Sequence, residues 1–269
     1  MHYKMIALDL DGTLNNDKKV ITQFTKDALN AVQKQGVVVV LASGRPTPGM
    51  MRESNELELE RYHGLLSSYN GGRIVDVTEN KVIYEKSLPK ATARRLLKHL
   101  ENFEVTPIVD DSSNYYAKDR NDFMVEVESK LNHMEIKIVD NIADNIDFNP
   151  VKVLIAASNE ILVQVSDKIM KPFNTELSFI QSSPVYLEAT MKGIDKASSL
   201  QNICDYLHIS PEEVMAFGDA QNDITMLQFA GLGIAMGNAL DCIKKISNEV
   251  TLSNNEDGIA HTLHKYFKI

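Results

Sequence analysis

Apolar and polar positions along the chain follow two distinct periods. Met5-Ile6-Ala7-Leu8 is an unbroken apolar run, the pattern of a strand buried on both faces, and residues 37–42 repeat it with β-branched side chains. Between the two runs, Thr22 stands where a helix N-cap is favoured. Phe24, Ala28, Ala31 and Val32 follow at roughly helical spacing, and Gly36 is a natural stop. Residues 65–69 form a weaker strand closed by Asn70-Gly71-Gly72. Strands and helices in strict alternation predict right-handed crossovers and a doubly wound, mostly parallel sheet.

The middle of the chain has a different rhythm. Pro89 can open a helix running to about Phe103, with Leu96, Leu97 and Leu100 on one face. Residues 104–109, 114–118, 135–139, 151–157, 176–181 and 185–189 read as strands, and 160–170 as a helix. This mixture without strict alternation predicts an α+β unit inserted at 83–189, dividing a core made of 1–82 and 190–269. From Lys192 the α/β alternation returns. A helix carries Leu200, Ile203, Cys204 and Leu207 on one stripe, residues 214–217 form a strand, 224–230 a helix ended by Gly231, and 233–236 and 250–252 short strands.

Composition narrows the function classes. With 269 residues, 43% apolar and 24% charged, the chain can bury a core without disulfides or structural zinc. A formal charge of −9 makes nucleic acid or an anionic membrane an improbable main partner. A small anionic substrate requires a metal or a local cluster to reverse the sign at its site. Cys204 and Cys242 show no metal-ligand spacing, and the apolar start is interrupted at once by Asp9. Both features fit a cytoplasmic protein, monomeric or homodimeric, with no membrane span.

The residues with chemical potential stand at the ends of the apolar runs. Asp9-Leu10-Asp11-Gly12-Thr13 follows the first run. Two carboxylates two residues apart in extended chain point the same way, and Gly12 then permits a sharp turn. Such a pair could bind a cation, act as nucleophile plus acid/base, or do both. Ser43-Gly44-Arg45 follows the second run, where a hydroxyl and a backbone N–H could hold a phosphate oxygen; taken alone it is an ordinary Ser-Gly turn. Lys196 at a helix start could neutralise an anion, although an isolated lysine is usually solvated. Gly218-Asp219-Ala220-Gln221-Asn222-Asp223 follows a third apolar strand and offers oxygen ligands of the kind that select Mg²⁺. In an open α/β sheet the carboxyl ends of the strands form the ligand crevice, so Asp9, Asp11, Ser43, Asp219 and Asp223 are expected to converge. His261 and His264 lack a matching third ligand, so metal ligation by this pair is not expected.

Together, Asp9-x-Asp11-Gly12-Thr13, Ser43-Gly44-Arg45, Lys196 and Gly218-Asp219-x-x-Asn222-Asp223 resemble the four motifs of the haloacid dehalogenase superfamily. More narrowly, the chain is similar to the Cof-type sugar-phosphate phosphatases; Ala235-Met236-Gly237-Asn238-Ala239 and Glu256-Asp257-Gly258 also match that branch. The resemblance implies a Rossmann-like core, an inserted α+β cap that sets specificity, and a phosphorylated metabolite as substrate. It also implies Mg²⁺ held by the Asp9 carboxylate, the Asp11 main-chain carbonyl and Asp219, with Asp223 as a further ligand or support. Asp9 would then be the nucleophile, Asp11 the acid/base and Lys196 the charge balance. Ser43, Gly12, Gly44, Arg45 and Asn222 would line the phosphate. A phosphomutase using the same aspartyl-phosphate, and a non-catalytic binding protein, are the alternatives.

Overall fold

The computed structural model describes residues 2–269, and their contacts divide the chain into two compact units. One unit comprises the chain up to Tyr84 together with Asp195–Ile269; the other is Glu85–Ile194. The sequence placed these boundaries at 83 and 189. They fall later because the strand Lys81–Glu85 joins the first unit's sheet and the last strand of the insertion runs on to Met191.

In chain order the first unit opens with β1 (Met5–Leu8), α1 (Gln23–Lys34), β2 (Val38–Ala42), α2 (Met51–Glu56), β3 (Leu65–Ser68), β4 (Arg73–Asp76) and β5 (Lys81–Glu85). The insertion contributes α3 (Lys90–Leu100), β6 (Thr106–Asp110), β7 (Asn114–Ala117), α4 (Val125–Asn132), β8 (Glu135–Ile138), α5 (Ile142–Asn145), β9 (Lys152–Ala156), α6 (Asn159–Met170), β10 (Leu177–Ser183) and β11 (Tyr186–Met191). The chain then returns through α7 (Lys196–Leu207), β12 (Val214–Gly218), α8 (Ile224–Phe229), β13 (Leu232–Ala235), α9 (Asp241–Ile246), β14 (Glu249–Val250) and α10 (Gly258–Tyr266).

The first unit is built on an eight-stranded sheet in the order β14-β13-β12-β1-β2-β3-β4-β5. Pairing is parallel from β14 through β3, and β4 returns antiparallel to β3. The apolar runs split by the strand period of two. Ile6, Leu8, Val39, Leu41 and Phe217 enter one core with α1 and α10, while Met5, Ala7, Val40, Ala42 and Ala216 enter another with α7 and α8. A strand with both faces covered by helices has to be apolar at every position, which is why these runs are continuous. Thr22 caps α1 by accepting from the Thr25 N–H, and Gly36 lies at φ +86° just past the helix, as the sequence predicts.

The second unit carries a six-stranded sheet, β10-β11-β9-β6-β7-β8, antiparallel except for the β7–β8 pair. Leu96, Leu97 and Leu100 of α3 and Leu162 and Ile169 of α6 pack with Val109, Val153 and Ile155. Val125 of α4 packs with Ile108, Tyr115 and Leu154 in a separate cluster. The sequence pattern missed α4 for a physical reason: it buries Glu128 and Asn132 and leaves Val127 and Leu131 exposed, the reverse of an amphipathic signal. Among the described residues, no helix is long and apolar enough to cross a membrane.

Candidate active site

β1 ends at Leu8 and β12 at Gly218, and the two strands are neighbours. Beyond β1 the chain crosses to β2 on one side; beyond β12 it crosses to β13 on the other. That divergence leaves a crevice at the carboxyl ends of the pair. Asp9 and Asp219 are the first residues past these two strands, and the Asp9 N–H donates to the Phe217 carbonyl at 3.1 Å.

Two glycines let the loops approach. Gly12 lies at φ +89°, and a Cβ on it would fall 2.5 Å from Asp219 Oδ2. A Cβ on Gly218 would fall 2.5 Å from Asp223 Cβ. Into the space so kept, Thr13 Oγ1 donates to Asp219 Oδ1 at 2.9 Å. Asp223 is fully buried, and its Oδ2 accepts the N–H groups of Asp219 (2.9 Å) and Ala220 (3.0 Å).

Lys196 links these loops from a third element. Asp195 caps α7 reciprocally with Ser198, which sets Lys196 at the first helical position. The lysine is 0% exposed, and its Nζ donates to Asp9 Oδ1 and to Asp223 Oδ1, each at 2.6 Å. The isolated-lysine expectation of a solvated side chain therefore fails here. Burial alone would lower the ammonium pKa, but Asp223 and Asp9 outweigh it and hold the pKa above its ordinary value. Burial pushes the Asp9 carboxyl up, and the negative charge of Asp223 adds to this against the opposing pull of Lys196. Asp219 is also raised, by burial first and by Asp223, with the Thr13 hydroxyl opposing.

Asp9, Asp219 and Asp223 each offer an oxygen, and these atoms lie within 4.8 Å of one another. Three carboxylate oxygens converging where glycine alone fits the loop make a donor set suited to a hard divalent cation. The two raised carboxyl pKa values mark the electrostatic cost of this cluster, which a cation would relieve.

The remaining expected residues divide into two groups. Ser43, buried at the end of β2, accepts the Arg45 N–H at 3.2 Å on its hydroxyl. A Cβ on Gly44 would lie 3.1 Å from Asn70 Nδ2, and Asn222 Nδ2 donates to Asn70 Oδ1 at 3.2 Å. Asn70 thus ties the Ser43-Gly44 loop to the Asn222 loop. The sequence reading gave Asn70 no role; the available signal was an Asn preceding Gly71, and it takes φ 55°. Asn238, whose Nδ2 donates to the Gly12 carbonyl at 2.8 Å, is a second such residue.

The Asp11 carboxylate lies outside the acidic cluster. It accepts Arg45 Nε on Oδ2 (2.9 Å), and Arg45 Nη2 (2.7 Å) and Lys19 Nζ (2.9 Å) on Oδ1. Burial opposes ionisation of Asp11, but Arg45 and Lys19 outweigh it and hold the carboxyl below the usual range. Arg45, expected to line the phosphate, is held in this structure by other partners. Its guanidinium is committed to Asp11 and to the Gly49 carbonyl (3.0 Å), because the turn after β2 directs the side chain towards the loop after β1.

Comparison with known proteins places these features in a family. Residues 6–263 match the model of the haloacid dehalogenase-like hydrolases. A Bacillus subtilis (strain 168) protein named as a phosphatase, YxeH, is 33% identical, covering 98% of each chain. The 5-amino-6-(5-phospho-D-ribitylamino)uracil phosphatase YcsE of the same organism is 31% identical over 98% of this chain and 95% of its own. A solved haloacid dehalogenase-like hydrolase from Bacteroides thetaiotaomicron superimposes with a TM-score of 0.94 at 36% identity, covering 98% of this chain and all of that one. The chain belongs to the haloacid dehalogenase-like hydrolases.

Proposed function

We propose that the protein is a Mg²⁺-dependent phosphatase that hydrolyses small phosphorylated metabolites, sugar phosphates foremost, through an aspartyl-phosphate on Asp9. The observation that carries this reading is the buried lysine bridging Asp9 and Asp223 at 2.6 Å beside Asp219, at the carboxyl ends of two neighbouring parallel strands. The substrate class is supported by two relatives. YcsE is named for a phosphoribityl compound, and a solved structure 25% identical, covering 98% of each chain with a TM-score of 0.81, is named the sugar phosphatase BT4131.

Asp9, Asp219 and Asp223, with the Asp11 main-chain carbonyl, would hold the cation. When bound, it would offset the negative charge shared by nucleophile and substrate. The Asp9 carboxylate attacks phosphorus in line, and the ester P–O bond breaks with its electron pair on the departing oxygen. Asp11, ionised in the free protein, takes up a proton brought by the substrate monoanion and passes it to that oxygen. It then takes a proton from water, whose oxygen attacks phosphorus and releases inorganic phosphate and the Asp9 carboxylate. The Ser43 hydroxyl and Gly44 N–H hold the transferring oxygens, and Gly12 leaves room for them. Lys196 favours the ionised form of Asp9 and orients it, and Asn222 borders the phosphoryl group.

The test is phosphate release from a panel of sugar phosphates, nucleotides and pyridoxal phosphate, with and without Mg²⁺, beside Asp9→Asn. Metal-dependent release lost in the variant is expected. Turnover above a few per cent in a variant with unchanged circular dichroism would remove Asp9 as nucleophile.

A further inference from the structure

Glu53 is a fully buried carboxylate that the proposed mechanism does not use. It sits in α2, and its Oε1 accepts Asn15 Nδ2 at 2.8 Å and Arg52 Nη2 at 2.5 Å. Arg45 Nη1 lies 3.6 Å from the same oxygen, and Oε2 has no hydrogen-bond partner. A buried acid in this state costs free energy that an apolar side chain would not. Its neighbours share a target. Arg45 grips both oxygens of Asp11, and Asn15 forms a backbone bridge with Asp11. Glu53 therefore touches the group that holds the Asp11 side chain and the residue paired with the Asp11 main chain.

A planar guanidinium meeting a carboxylate through two parallel bonds fixes its plane and rotation, which a lysine ammonium such as that of Lys19 does not. Arg45 is immobilised in turn: its side chain is 11% exposed, and its Nη1 donates to Gly49. We infer that Arg45 and Glu53 are positioning residues that aim the Asp11 carboxylate for its proton transfers, and that Arg45 acts through Asp11 rather than on the phosphoryl group. This rests on the acid/base role given to Asp11 above.

The experiment is a double-mutant cycle on the full chain. Arg45→Met, Arg45→Lys and Glu53→Gln are each made alone and with Asp11→Asn, and assayed on the best alkyl phosphate of the panel. Inhibition by inorganic phosphate is measured alongside. In the native background kcat is expected to fall about tenfold or more, a fraction of what a general acid contributes. KM and phosphate inhibition stay within about twofold. In the Asp11→Asn background the same substitutions cost less than about twofold further, because their shared target is gone. Losses that multiply in the double variants, or weakened phosphate inhibition with kcat retained, overturn the inference. If Arg45→Met does not fold, Arg45→Lys gives the same readout, since it keeps charge and stem but loses the fork. Failure of the functional reading looks different: the wild type releases no phosphate from any ester, or Asp9→Asn keeps turnover, and the inference falls with it.

Discussion

Replacing Lys196 with methionine is the sharpest test of how the site is held together. The ammonium is 0% exposed and makes 2.6 Å bonds to both Asp9 and Asp223, so Lys196→Met strands two buried carboxylates without opening a large void. Breaking a buried pair from one side costs about 3–5 kcal/mol, and at roughly 2–4 °C per kcal/mol the thermal midpoint should fall by about 6–20 °C. The pH dependence has a definite sign. Burial and Asp223 raise the Asp9 carboxyl in the folded protein. The folded state therefore binds the extra proton between the ordinary and the raised pKa, and stability falls as pH rises through that interval. Lys196 restrains the rise. Without it the interval extends upward, so the variant's deficit is smallest in acid, where Asp9 is neutral, and largest in base. Calorimetry with chelator present, at about pH 5 and about pH 8.5, reads this difference. Adding Asp223→Asn, which removes one stranded charge and keeps an acceptor for the Asp219 N–H, should recover part of the loss at the higher pH. A deficit below about 1 kcal/mol, or one equal at both pH values, would refute the argument that a buried pair is at stake.

Gly12→Ala and Gly36→Ala share a positive φ, +89° and +86°, but only the first meets a neighbour, Asp219 Oδ2 at 2.5 Å. Urea unfolding should show about 1–2 kcal/mol lost at Gly36, with turnover kept. At Gly12 the loss should be greater and turnover should fall; equal losses with equal turnover would argue against close approach of the two loops. Cys204 is buried, and burial followed by the charges of Asp205, Glu213 and Glu212 pushes its thiol up to about 11, whereas Cys242 is exposed. Alkylation of the folded protein at neutral pH should label Cys242 and spare Cys204, as peptide mass mapping would read; labelling of Cys204 first would contradict the packing of α7.

Residues whose chemistry is local were legible in the sequence. β1 and β2 could be located because strands covered on both faces must be apolar throughout, and α1 because Thr22 and Gly36 mark its ends. The Asp9, Ser43 and Asp219 loops followed from their place after such strands. α4 was hidden because, besides Val125, its buried residues are Glu128 and Asn132, whose burial depends on partners elsewhere in the chain, such as the Tyr115 hydroxyl that accepts from Asn132.

The sequence by itself determined the alternation of elements, the insertion, and the motif residues with their order along the chain, since each depends on side-chain type and on spacing within a few residues. Tertiary structure decided which of those residues meet. Lys196 is separated from Asp9 by 187 positions, and only the crossover of α7 beside β1 buries its charge between two carboxylates. Arg45 was singled out by its motif, but only the fold shows that it pairs with Asp11 and lies near Glu53, a residue with no sequence signal at all. Local preference fixes where a chain can turn, whereas a long, flexible charged side chain goes to whichever distant group best offsets the cost of burying it.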